Sequence, residues 1–142
     1  MSELVVNLVY QPSTNTFAFS GAADPSGDIP VHVGGAEERW IAFELSGADQ
    51  ILGIMIASTY EALGSAKPQA SGNYEGTCFE NLELSGDEIA FKMQDTGSTT
   101  QTWFYKIGIL YQGQEKWPDP KIQNHTSSGG GTKSGPGLFF GC

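Results

Sequence analysis

The sequence predicts an all-β fold, an antiparallel Greek-key β-sandwich of about seven or eight short strands. Three observations predict it. Apolar residues recur with period two along most of the chain, and no stretch carries a convincing amphipathic helical period. Gly makes up 19 of 142 residues without a collagen-like repeat, which points to many turns. Turn-forming clusters recur about every 8–12 residues, the spacing of such sandwiches. A closed barrel of about eight strands is the alternative architecture.

The elements follow in order. Leu4, Val6, Leu8 and Tyr10 alternate with Val5, Asn7 and Val9, and Phe17 and Phe19 follow across the turn QPSTNT, which reads as a hairpin. AADPSGDIP (22–30) is a loop dense in turn formers, Val31 to Val33 form a short strand, and GGAEE is another loop. Ile41, Phe43 and Leu45 share one face of the next strand, and Trp40, Ala42 and Glu44 share the other. SGAD turns the chain into Ile51 to Ala57, which is nearly all apolar and so is covered on both faces. Ser58 to Thr77 is the longest connection, expected to hold one helical turn near Tyr60 to Leu63 and to cross between sheets. A second hairpin places Leu82 and Leu84 before the turn Ser85-Gly86-Asp87 and Ile89, Phe91 and Met93 after it. After the polar turn TGSTTQ, the last strand has Trp103, Tyr105, Ile107, Ile109 and Tyr111 on one face and Phe104, Lys106, Gly108, Leu110 and Gln112 on the other. FELSGADQI and LELSGDEI resemble each other, but the stretch is too short for a repeat; two hairpins share one turn chemistry.

The chain is the size of one domain, expected at 1–126, followed by a Gly-rich tail at 127–142. Most of that tail cannot build a core. Leu138 to Phe140 are the exception, apolar enough to dock on the sheet or on a neighbouring subunit. The net charge is −9, and the 7 basic residues include no adjacent pair. Nucleic acid and anionic membrane surfaces both demand clustered cations, so neither is an expected partner. No run approaches the ~18 apolar residues of a membrane span. MSELVVNLVY lacks a basic n-region, so the expected location is cytoplasmic, with Cys78 and Cys142 as thiols. The glycosylation sequon at Asn124-His125-Thr126 then reads as a chance match.

Chemistry-bearing constellations are sparse. A copper site would need two His, one Cys and a weak axial Met; His32, Cys78, His125 and Met93 lack the usual clustering of such ligands. There is no C-x-x-C or H-E-x-x-H for zinc, no G-x-S-x-G and no P-loop. Glu37-Glu38 and Asp87-Glu88 sit at turns or strand entries, where neighbours point to opposite faces rather than across a cleft. Asp24 and Asp28 are too few for calcium. No catalytic residue, metal or cofactor is expected.

The segment after the last strand is the remaining candidate. Pro118 and Pro120 each fix their own φ and hold Trp117 and Asp119 extended. Two readings compete. In one, Pro118, Asp119, Pro120 and Ile122 form a structural clasp at the sheet edge. In the other, Trp117, Asp119, Lys121, Asn124 and His125 form a ligand site with an aromatic platform.

Residues Trp103 to Asn124, with a period-two aromatic strand, Y-x-G and then D-P-K-I-x-N, resemble the C-terminal region of the DP-EP family of small bacterial proteins. They are similar, more distantly, to the end of the bacterial inclusion-body protein family. The chain contains no Glu-Pro pair. The resemblance implies an immunoglobulin- or cupredoxin-like sandwich without established enzyme activity, and it assigns no catalytic residue. The expected function is a non-catalytic binding or self-assembly module. The alternatives are a carbohydrate- or small-ligand-binding module and, third, a degenerate cupredoxin-like metal protein. A homodimer is expected because Phe104 and Leu110 place large apolar groups on the second face of the last strand.

Overall fold

Alternating burial along the strands builds two stacked sheets. The computed structural model describes residues 2–30, 39–97, 100–118 and 137–141. In chain order the elements are β1 (Ser2–Gln11), β2 (Thr16–Gly21), β3 (Ile29–Pro30), β4 (Arg39–Ser46), β5 (Gln50–Ala57), α1 (Tyr60–Leu63), β6 (Phe79–Leu84), β7 (Ala90–Asp95), β8 (Thr100–Tyr111), β9 (Gln114–Lys116) and β10 (Gly137–Gly141). The first sheet runs β2-β1-β4-β7-β6; the second runs β3-β10-β8-β5, with β9 also pairing with β8. Val6, Leu8, Ile41, Phe43, Phe91 and Met93 of the first sheet face Ile51, Ile54, Ile56, Tyr105, Ile107 and Ile109 of the second. Aromatic pairs bridge the layers at Tyr10–Tyr111 (ring centroids 5.1 Å apart), Phe43–Tyr105 (5.7 Å) and Phe79–Trp103 (6.2 Å).

The all-β sandwich expected from the sequence is present, with more strands and a mixed topology. β1 runs parallel to β4, and β10 parallel to β3. Side-chain alternation has the same period in either direction, so the pattern cannot reveal a parallel pair. β3 lies at the end of the expected loop 22–30, and two residues are too few for alternation to register. The expected strand at Val31 to Val33 lies outside the described residues. Ile89 does not share the core face with Phe91 and Met93: it is 40% exposed. Glu88, at φ 63, still belongs to the turn, and β7 begins only at Ala90.

The two similar turns have different jobs and lie side by side. Ser46 to Asp49 carries the chain from the first sheet to the second, whereas Ser85 to Glu88 joins neighbours within the first. They are stitched by Leu45 N–H to the Ile89 carbonyl (2.8 Å) and Ile51 N–H to the Glu88 carbonyl (2.7 Å).

The long connection crosses from the second sheet to the first and contains the expected helical turn. α1 is capped by Thr59, whose hydroxyl accepts the Ala62 N–H at 3.1 Å. The connection also closes two sheet edges. Gln69 exchanges both backbone hydrogen bonds with Ile54 of β5, each 2.9 Å. Gly72 accepts the Leu82 N–H of β6 at 2.8 Å. Between them the buried Tyr74 sends its hydroxyl to the Lys67 carbonyl (2.6 Å) and accepts the Ile56 N–H (3.0 Å). Gly53 makes the approach feasible: a β-carbon there would stand 2.8 Å from the Gln69 carbonyl oxygen.

The outer face of β8 is covered from within the chain. The Trp117 ring lies against Gly108, and the Tyr60 ring meets Phe104 edge-on at 6.2 Å. The apolar second face that motivated a homodimer therefore has intramolecular cover over part of its length. A methyl group at Gly108 would overlap the Trp117 ring. Gly108→Ala is expected to destabilise the fold by about 1–3 kcal/mol, the usual effect of overpacking. Chemical denaturation measures it, and the simultaneous replacement Trp117→Ala should relieve most of the overpacking.

Candidate functional site

Of the residues singled out after the last strand, only Trp117 and Pro118 fall among those described. Pro118 is buried and Trp117 is half-buried against Gly108. One aromatic face is thus occupied by the fold. Asp119, Pro120, Lys121, Ile122, Asn124 and His125 lie outside the described residues, as do His32, Glu37 and Glu38. Met93 is fully buried in the core. Cys78 is disulfide-bonded, which corrects the thiol expected there from a cytoplasmic location. Linear spacing carries no sign of this bond. Among the described residues, no three His, Cys, Asp or Glu side chains gather as a metal site.

Several shifted titratable groups tie the fold together. Arg39 and Asp95 sit opposite each other on β4 and β7 and are both buried, with Arg39 Nε 3.5 Å from Asp95 Oδ2. Arg39 Nη2 also donates to the Gly97 carbonyl (2.7 Å), and the Gly97 N–H donates to Asp95 Oδ1 (2.8 Å). Burial pushes the Asp95 carboxyl above its ordinary value, against the opposing pull of the Gly97 N–H and Arg39. Tyr105, raised well above the ordinary phenol value by burial, donates to the Gly27 carbonyl at 2.7 Å. At Asp24, desolvation works to raise the carboxyl. The Ser26 hydroxyl and the N–H groups of Asp28, Ser26 and Gly27 outweigh it and hold the group below its ordinary value.

The outer face of the first sheet carries the remaining constellation. Trp40 projects from β4, half-buried, between Glu3 of β1 and Gln94 of β7 in register. Lys92 Nζ stands 5.1 Å from the Trp40 ring centroid and 3.8 Å from Glu83 Oε1. Gln94 Oε1 accepts the Asn81 side-chain N–H at 2.7 Å. Beside them a shallow groove of about 280 Å³ is lined by Glu3, Ala42, Glu44, Glu83, Leu84 and Lys92, among others. The sequence places Trp40 correctly on the face opposite Ile41 and Phe43. It does not single Trp40 out, because Lys92, Glu83 and Gln94 join it only through strand pairing. A second concavity of about 380 Å³ lies under the long connection, between Trp103, Tyr74 and Lys67.

Comparison with protein-family models and with curated proteins finds no match for this chain.

The Asp24 carboxyl gives a pH signature. Its folded value lies below the ordinary 3.8, so its stabilising effect is full above that value and is lost as pH falls through the lower, folded one. Asp24→Ala should therefore be less stable than the parent at neutral pH, and the gap should close on acidification below pH 3.8. Melting curves of both proteins across that range check it.

Proposed function

We propose that the chain is a non-catalytic β-sandwich binding module that presents the outer face of its first sheet to a carbohydrate or similar polyhydroxylated ligand. The observation that carries this reading is the half-exposed Trp40 beside a groove lined by carboxylates, a serine and an ammonium group. An indole face accepts the C–H face of a sugar ring, and the surrounding groups exchange hydrogen bonds with its hydroxyls. Lys92 does not block such stacking. Its contacts with Trp40 and with the exposed Glu83 are surface interactions, worth about 1 kcal/mol or less each. The ammonium can swing aside and donate to a bound hydroxyl instead.

The non-catalytic part of the reading is supported by how the shifted groups are used. Asp24, Asp95, Tyr74 and Tyr105 all bond to backbone atoms of loops or strand edges. They are engaged in holding loops, not presented to the groove.

Titration calorimetry against a panel of soluble oligosaccharides tests the proposal. The parent should bind at least one class, and Trp40→Ala should weaken that binding at least about tenfold, ~1.4 kcal/mol, with its melting temperature nearly unchanged. No binding by the parent across the panel, or undiminished binding by Trp40→Ala, would sink it.

A further inference from the structure

We infer that the ligand of the Trp40 face is a sugar with free amino groups, a protonated hexosamine unit rather than a neutral or acidic one. The inference rests on the carbohydrate reading of the same face and adds the charge of the ligand.

The groove exists because alanines stand on an otherwise bulky outer face. Ala42 of β4 lies opposite Lys92 of β7, and Glu44 lies opposite Ala90. The two alanines are diagonal neighbours and leave a shallow floor. Trp40 and Glu44 flank Ala42 on the same face of β4. They stand about 13 Å apart, four residues at the ~3.3 Å rise of a strand. That span takes more than one sugar ring.

The groove is short of cations. Its lining includes the carboxylates of Glu3, Glu44 and Glu83 but only one ammonium, that of Lys92. Lys92 is committed to Glu83 at 3.8 Å. Glu3 and Glu44 are exposed and form no ion pair among the described residues. Nor do these carboxylates converge on a single ion, since no three His, Cys, Asp or Glu among the described residues gather as a metal site. Their spread suits separate ammonium groups carried along one chain.

Lys92 shows which chemistry the face holds. Its ammonium lies 5.1 Å from the Trp40 ring centroid while it is paired with Glu83. An indole face and a carboxylate together attract an ammonium group. A sugar ring that stacks on Trp40 takes that place and moves Lys92 aside. A neutral ring then leaves the indole without its cation, whereas a ring with its own ammonium replaces the one it displaces. An acidic sugar meets the three carboxylates as like charges. A basic peptide offers the right charge but the wrong backbone. β4 lies inside the sheet, paired with β1 on one side and β7 on the other. Its floor gives an extended peptide no main-chain partner, the usual source of affinity when a peptide joins a sheet.

Titration calorimetry compares glucosamine oligomers with N-acetylglucosamine and glucose oligomers of the same length. Mildly acidic buffer keeps the amines protonated and the carboxylates ionised. The glucosamine oligomer should bind about tenfold more tightly than either, the combined effect of two or three exposed ion pairs. Added salt should erode the difference. Glu44→Gln and Glu83→Gln should each cut the preference, whereas Glu115→Gln, on β9 of the other sheet, should leave it intact. Equal binding of the three oligomers would overturn the inference and leave the carbohydrate reading standing. So would an equal loss with Glu115→Gln, which marks net charge alone, or oligolysine that binds as tightly as the glucosamine oligomer. No binding by any of the sugars sinks both readings.

Discussion

The closure of two sheet edges by one connection is the constraint on which the rest of the sandwich depends. β5 and β6 end their respective sheets on the same side of the molecule. An uncovered edge strand offers unpaired N–H and C=O groups to any passing chain, and β5 is almost wholly apolar. The connection between them answers both edges at once. Gln69 pairs with Ile54, Gly72 with Leu82, and the Tyr74 hydroxyl takes the Ile56 N–H. Because Tyr74 is buried, its ring fills the gap between the sheets while its hydroxyl orders the backbone around it. The two aspartate-bearing turns add a further stitch at Leu45 and Ile51. With that flank closed, the aromatic pairs that bridge the layers are held at fixed separation.

Much of this was legible in the sequence. The β1–β2 hairpin, the two faces of β4, the helical turn at Tyr60–Leu63 and the crossing role of Ser58 to Thr77 all follow from period-two patterning and turn chemistry. What was illegible has common physical causes. Parallel pairing leaves no trace in alternation. β3 and β9 are too short to show a period. The role of Gly53 and Gly108 is set by atoms far away in sequence, a carbonyl in one case and an indole ring in the other. The disulfide at Cys78 and the ion pair of Arg39 with Asp95 are likewise tertiary facts. The candidate surface was half legible. Trp40 was placed on the correct face, but its companions arrive from β1, β6 and β7. Trp117 attracted attention as an aromatic platform, and part of its ring surface is spent on covering Gly108.

The fold separates three tasks. The inner faces hold the core, the connection carrying Tyr74 engages the β5 edge at Ile54 and Ile56, and the outer face of the first sheet carries polar groups around Trp40. The strand furthest in sequence, β10, completes the second sheet from a slot whose other wall is only two residues long. Among the polar groups around Trp40 is the Lys92 ammonium. Lys92 is held there by Trp40 and Glu83, on a rigid strand.

Native-state amide exchange tests the central claim most directly. If one segment closes both edges, the amides of Ile54, Ile56 and Leu82 should be protected to a similar degree, far above the surrounding loops. Tyr74→Phe should lower all three together, by about 1–3 kcal/mol of opening free energy, while β1 and β4 amides change less. Rapid exchange at Ile54 and Leu82 in the parent, or a Tyr74→Phe effect confined to Ile56, would contradict the account.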